Sequence, residues 1–143
     1  MLTTRLHEPA DRAAVLDLIG DPRAVDQPQH RVYVAEEAGR VVGTAVVAHA
    51  LGDTAYLGAV EVAPPFRPDV FRALVLAVAE GAAAAGYRHG VARYIDRSAM
   101  VRSRRHVGLT PIVAGRDPAT GAAVAWRFEV ELPDFVHYLR SRP

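Results

Sequence analysis

The sequence predicts a single α/β or α+β domain in which helices pack against a mixed sheet. Three observations predict it: half of the 143 residues are apolar, strand-like and helix-like segments alternate, and no repeat or low-complexity linker interrupts them. A chain of this length and apolar content can bury one core of ordinary size. Alternating strands and helices are stable when the helices cover the faces of a sheet. We therefore expect one domain over residues 1–143.

The first half of the chain predicts a strand, a helix and a three-stranded meander. Asp11 can cap a helix that Gly20 ends, and the turn Ala38-Gly39 separates two valine-rich strands. The polar segment DPRAVDQPQH holds two prolines and predicts a loop with room for one helical turn. The predicted elements are a strand at 2–7, a helix at 12–19 and strands at 31–36, 40–50 and 55–63.

The second half predicts a long helix, a strand, a shorter helix and a final hairpin. Apolar residues recur at helical spacing after Pro68, which suits the first helical position because that position needs no N–H donor. Gly108 provides a stop for the shorter helix. The predicted elements are a helix from Pro68 or Asp69 to Gly86, a strand at 89–95, a helix at 97–107 and strands at 109–114 and 123–132.

Charge and composition exclude several classes of function. The formal net charge of +1 implies no general attraction to nucleic acid or to an anionic membrane. The absence of cysteine excludes disulfides, thiolate metal sites and cysteine nucleophiles. The six histidines show no HxxxH or HxH spacing, so we expect no metal site. The polar N-terminus MLTTRLHEPADR does not read as a signal peptide, and we expect a soluble cytoplasmic protein without a membrane span.

Three local patterns occur in an order that resembles a known family. The segment VYVAEEAGRVVGTAVV forms a predicted hairpin with Gly43 early in its second strand. Val62-Ala63-Pro64 followed by Arg67 matches a V-x-P-x-x-R/Q phrase, and the short helix ends in His106-Val107-Gly108-Leu109. Together with the order of elements, these patterns resemble the GCN5-related N-acetyltransferase (GNAT) family over nearly the whole chain. The resemblance implies a mixed, mostly antiparallel sheet of six to seven strands with about four helices.

The resemblance also implies acetyl-CoA as co-substrate and N-acyl transfer to a small amine. In that family pantetheine lies between the fourth and fifth strands, and backbone N–H groups of the loop R/Q-x-x-G-x-G/A hold the pyrophosphate. The carry-over places Val62 and Arg67 beside the cofactor and puts Val70 and Arg72 at the two glycine positions. Arg72 can meet a phosphate with its guanidinium. Asp69, however, puts a negative charge where an anion would dock.

Two residues are candidates for catalysis. Glu61 is an acidic residue inside an apolar strand, three residues before Pro64, where the family often has a glutamate, and burial there would raise its pKa toward neutrality. The structural alternative is that Glu61 faces solvent or pairs with an arginine. The family's thiolate-protonating tyrosine corresponds to Arg104, which can bind an anion but is no general acid, so Tyr94 is the substitute.

The remaining features leave alternatives open. His49 and Tyr56 flank a turn and either border the acceptor pocket or lie on the surface. The apolar tail residues pack on the core or against a second subunit, which would give a homodimer; they are Phe135, Val136 and Leu139.

Five arginines between Arg93 and Arg105 form a basic cluster, for which we favour a solvated helix face over nucleic-acid binding because Tyr94 is the one interleaved aromatic. The substituted loop also allows a GNAT-shaped binding or regulatory protein, or an enzyme of other chemistry, that has lost acetyl-CoA binding.

Overall fold

The protein is built on one seven-stranded sheet. The computed structural model describes residues 1–49 and 52–141, except for the side chain of His49. The strands are β1 (Thr3–Leu6), β2 (Arg31–Glu37), β3 (Arg40–His49), β4 (Thr54–Val62), β5 (His89–Tyr94), β6 (Ile112–Arg116) and β7 (Ala123–Glu131). The helices are α1 (Arg12–Ile19), α2 (Pro22–Asp26), α3 (Pro68–Ala84), α4 (Arg97–Val107) and α5 (Leu132–Ser141), and a 3-10 turn spans Pro9–Asp11.

The strand order is β1-β2-β3-β4-β5-β7-β6. Every neighbouring pair is antiparallel except β4 and β5, which are parallel. The predicted fold class, a mixed and mostly antiparallel sheet with flanking helices, is confirmed. The parallel pair follows from α3, because a crossover helix between two strands returns the chain to the same edge of the sheet.

Alternation along the strands divides the core between the two faces of the sheet. On β2, Val32 and Val34 pack against the short helices α1 and α2, and Tyr33 and Ala35 pack against α3. The larger cluster also contains Phe135 and Val136 of α5, with Leu139 packed against it. The apolar tail therefore packs on its own core, and α5 is longer than the one or two turns that its sequence predicts.

Helix α3 lies against the sheet at two glycine contacts. It begins at Pro68 and buries seven residues along one face: Val70, Phe71, Leu74, Val75, Val78, Ala79 and Ala82. A Cβ added to Gly81 would lie 1.8 Å from the Tyr33 hydroxyl oxygen, and one added to Gly43 would lie 2.9 Å from a methyl group of Val70. Because neither glycine has a side chain, the start and the end of α3 can approach the sheet closely.

In the part of the chain that the structure describes, no helix combines the length and the apolar character needed to cross a membrane.

Candidate active site

A cleft opens where β4 and β5 part. Their pairing covers three residue pairs, from Thr54–His89 to Tyr56–Val91, although both strands continue beyond them. A cavity of about 310 Å³ occupies the gap. Its lining comprises residues 57–61 of β4, Phe71 of α3, residues 93–96 at the end of β5, and Ala99 and Arg102 of α4.

A bulge in β4 lies at the mouth of this cleft. Leu57 pairs with Val47 and Val60 pairs with Ala45, so two residues of β4 stand opposite the single residue Val46. Such an insertion bends its strand and increases the local twist. The bend turns β4 away from β5, and the backbone polar groups on that side of β4 have no strand partner beyond the third pair.

Glu61 lines the cleft and is half-buried. Its neighbours Val60 and Val62 pack against the core under α3, so alternation turns Glu61 to the opposite face of the strand. Burial raises the pKa of the Glu61 carboxyl, the positive charge of Arg102 lowers it and the negative charge of Asp96 raises it further. The net result is a carboxyl whose pKa is above its ordinary value, which suits a proton acceptor at neutral pH.

Tyr94 lines the same cleft from the β5 side. Its ring meets Phe128 edge to face, with centroids 5.6 Å apart. Burial raises the pKa of the Tyr94 phenol, and a hydrogen bond with the buried Ser103 lowers it by less. Tyr94 is therefore a neutral phenol near pH 7 and holds a proton that it can donate.

Of the two candidate acceptor-site residues, Tyr56 lies at the closed end of the cleft. Tyr56 is the last β4 residue paired to β5, and the guanidinium carbon of Arg93 lies 5.2 Å from the centroid of its ring. Arg93 itself lines the cleft. The backbone of His49 pairs with Ala55 at the end of β3, and its side chain is outside what the structure describes.

Several solved structures share this fold. A GNAT-family protein from Desulfovibrio desulfuricans matches with a TM-score of 0.74 and 18% identity over 92% of this chain and 99% of that chain. Nourseothricin acetyltransferase matches with a TM-score of 0.68 and 22% identity over the same shares. An acetyltransferase from Bacillus subtilis, solved in complex with CoA, matches with a TM-score of 0.71 and 13% identity, again over 92% and 99%. The chain has the GNAT fold. Searches with protein-family models and among curated sequences gave no match.

The resemblance implies an anion site at the start of α3, and here the Arg67 side chain at that place is already bound to two carboxylates. The Nη1 and Nη2 atoms of Arg67 donate to the two Glu37 carboxylate oxygens at 2.7 and 3.1 Å, and Nη2 also donates to Asp69 at 2.8 Å. Arg67 lowers the pKa of the Asp69 carboxyl most, and the N–H groups of Val70 and of Asp69 itself lower it further. The Phe71 N–H donates to the Arg67 carbonyl, and Pro68 has no N–H.

The other residues assigned to the cofactor loop have different surroundings. The Val70 side chain is fully buried in the core, and Val62 packs against the same cluster. Arg72 is exposed on α3. Arg104 is exposed on α4 and lines neither the cleft nor the neighbouring groove described next. The two substituted glycine positions thus hold one core side chain, Val70, and one exposed arginine, Arg72.

A second cavity of about 450 Å³ runs along α4, and we call it the α4 groove. It is lined by Phe66, Arg97, Ser98, Val101, Arg102, Arg105 and His106. The Arg102 guanidinium carbon lies 4.6 Å from the centroid of the Phe66 ring, and His106 lies 5.3 Å from the same ring. Sequence reasoning treated these arginines as a solvated face and missed Phe66. Arg97, Val101 and Arg105 are four residues apart and share a helix face. This spacing is the sequence signal that could have indicated a groove along the helix.

Residues 1–49 and 52–141 contain no cluster of three or more His, Asp or Glu side chains that could hold a metal ion.

Proposed function

We propose that the protein is an acyl-CoA-dependent N-acyltransferase that acts on a small amine. The observation that carries the proposal is the β4–β5 cleft, which presents a carboxyl with raised pKa and a neutral phenol to one cavity. The named acetyltransferase activity of proteins with the same fold supports the reaction type.

The cleft suits the pantetheine arm of a CoA thioester. The arm carries amide groups, and the β5-facing edge of β4 offers backbone donors and acceptors that no strand uses. Leu57 and Phe71 give the cavity apolar walls. The start of α3 does not fit the diphosphate, because Pro68 has no N–H and the Asp69 carboxylate puts a negative charge where an anion would dock, while Arg67 is held by Glu37 and Asp69.

Acetyl-CoA, when bound, supplies an acyl group activated as a thioester. Glu61 accepts a proton from the ammonium group of the acceptor and leaves a neutral amine with a free lone pair. Tyr94 holds the phenolic proton that the departing sulfur needs. The Arg93 guanidinium lies over the Tyr56 ring and is available to bind an anionic group of the acceptor.

The test is the variant Glu61→Gln, with Glu131→Gln as the control because Glu131 is exposed on β7. We expect kcat to fall by about 10² to 10⁴ in Glu61→Gln with CoA affinity unchanged. The wild-type rate should rise with pH through the Glu61 pKa, which lies above the ordinary glutamate value, and this acid limb should vanish in Glu61→Gln. A rate equal to that of the wild type would remove Glu61 from the mechanism.

A second candidate function is supported by the closed start of α3. The ion pairs of Arg67 with Glu37 and Asp69 favour a binding or regulatory protein with the GNAT fold that does not hold acetyl-CoA. Millimolar CoA and acetyl-CoA distinguish the two, since a specific ligand must raise the melting temperature. No shift with either compound would favour the binding protein.

A further inference from the structure

We propose that the α4 groove, rather than the start of α3, binds the diphosphate end of the CoA thioester. The inference rests on the proposed function, because it names the binding site for the charged end of the same CoA thioester.

The groove has unpaired positive charge. Arg97, Arg102 and Arg105 line it, and Arg72 is close enough for its charge to lower the pKa of His106. Over residues 1–49 and 52–141, none of these four arginines forms an ion pair with a carboxylate. Burial lowers the His106 pKa most, and Arg105, Arg72 and Arg102 lower it further.

By contrast, several arginines elsewhere on the surface are paired with carboxylates. Arg5 binds Asp11 and Glu36, and Arg140 binds Glu80. Arg67, at the start of α3, binds two carboxylates. Like charges crowded on one short helix repel one another, and a bound dianion relieves that repulsion. The three arginines that line this one groove therefore favour an anionic ligand.

The groove is continuous with the cleft. Arg102 lines both cavities, so a ligand whose thiol arm lies between β4 and β5 passes this residue on leaving the cleft. A planar guanidinium donates two parallel N–H groups to phosphate oxygens, which suits a diphosphate. Phe66 and His106 form an aromatic wall on which a purine ring can stack.

The experiment measures binding of CoA and of ADP, which lacks the thiol arm, by calorimetry at two salt concentrations. The variant Arg102→Ala/Arg105→Ala should weaken both ligands by about 30-fold or more. Arg31→Ala is the matched control, because Arg31 is exposed on β2 and has the same charge but lines neither the cleft nor the groove, and we expect a change within about twofold. Arg102→Lys/Arg105→Lys keeps the charge and should give intermediate affinities.

The outcomes separate the groove from the proposed function. If CoA binds equally well to wild type and to Arg102→Ala/Arg105→Ala, the groove is not the diphosphate site and the acyltransferase proposal stands. If ADP binding depends on the two arginines but no acyl-CoA supports transfer, the groove stands and the proposed function fails. Binding of neither ligand, or arginine-dependent binding of an oligonucleotide much tighter than that of ADP, overturns the proposal. Circular dichroism of each variant establishes that it is folded.

Discussion

The start of α3 and the α4 groove are two places where this protein could hold phosphate, and they differ in how their charges are used. At the start of α3, the Arg67 guanidinium is held by the carboxylates of Glu37 and Asp69. In the groove, the Arg102 guanidinium lies on the Phe66 ring, and Arg97 and Arg105 have no carboxylate partner among the described residues. The number of arginines is therefore a poor guide to an anion site, and arginines that line one cavity without a carboxylate partner are a better one.

The largest expected effect tests whether the first glycine position of the α3 loop has become structural. Val70 is fully buried, whereas Arg72 at the second position is exposed. Val70→Ala removes two buried carbons and leaves a cavity, so urea denaturation should show a loss of about 2 kcal/mol in unfolding free energy. Arg72→Ala should stay within about 0.5 kcal/mol. Equal losses in the two variants would contradict the assignment of Val70 to the core.

A somewhat smaller effect comes from the partner of Val70 on β3. A Cβ at Gly43 would lie 2.8 Å from Leu74 and 2.9 Å from Val70, so Gly43→Ala should cost about 1.5 kcal/mol through overpacking. In the double variant with Val70→Ala, the added methyl group occupies space that the deletion vacates. The summed losses should therefore exceed the loss of the double variant. Strict additivity would mean that the two positions are not in contact.

The smallest effect tests the closure of the helix start. Asp69→Ala removes a negative charge from the first turn of α3. With the diphosphate held in the α4 groove, CoA affinity should change by less than about twofold in the wild-type background. It should rise about threefold in the Arg102→Ala/Arg105→Ala background, where the start of α3 is the remaining candidate phosphate site. Asp134→Ala, in the first turn of α5, is the matched control and should leave affinity unchanged. A tenfold loss on Asp69→Ala would mean that Asp69 itself contributes to ligand binding.

Much of the fold follows from local sequence. The bounds of α1 and α4 agree with the prediction, because Gly20 and Gly108 end regular helical patterns. The predicted cap by Asp11 is wrong, since its carboxylate accepts from Arg5 and from the Glu8 N–H and makes no capping bond to α1. The N-terminal meander follows from valine-rich strands and a short turn. The predicted bounds of β6, 109–114, are wrong: the strand spans Ile112–Arg116, and Pro111, which has no N–H to donate to a ladder, precedes its first pairing.

The state of the candidate site depends on contacts that sequence spacing does not encode. Glu37 is 30 residues before Arg67, and no local rule pairs them. Gly43 and Val70 fit together only because α3 crosses β3 at that point. The α4 groove needs Phe66 from a loop to meet Arg102 from a helix. Glu61 could be selected as a cleft residue because an acidic residue inside an apolar strand is a local anomaly.

The parting of β4 and β5 has a mechanical consequence. Three residue pairs between β4 and β5 join a four-stranded half of the sheet, β1 to β4, to a three-stranded half, β5 to β7. An amide-bearing arm bound beyond these three pairs would connect the two halves of the sheet where β4 and β5 do not pair with each other. Binding in the gap would thus make the whole sheet more rigid, so that ligand binding and stiffening of the fold would occur together.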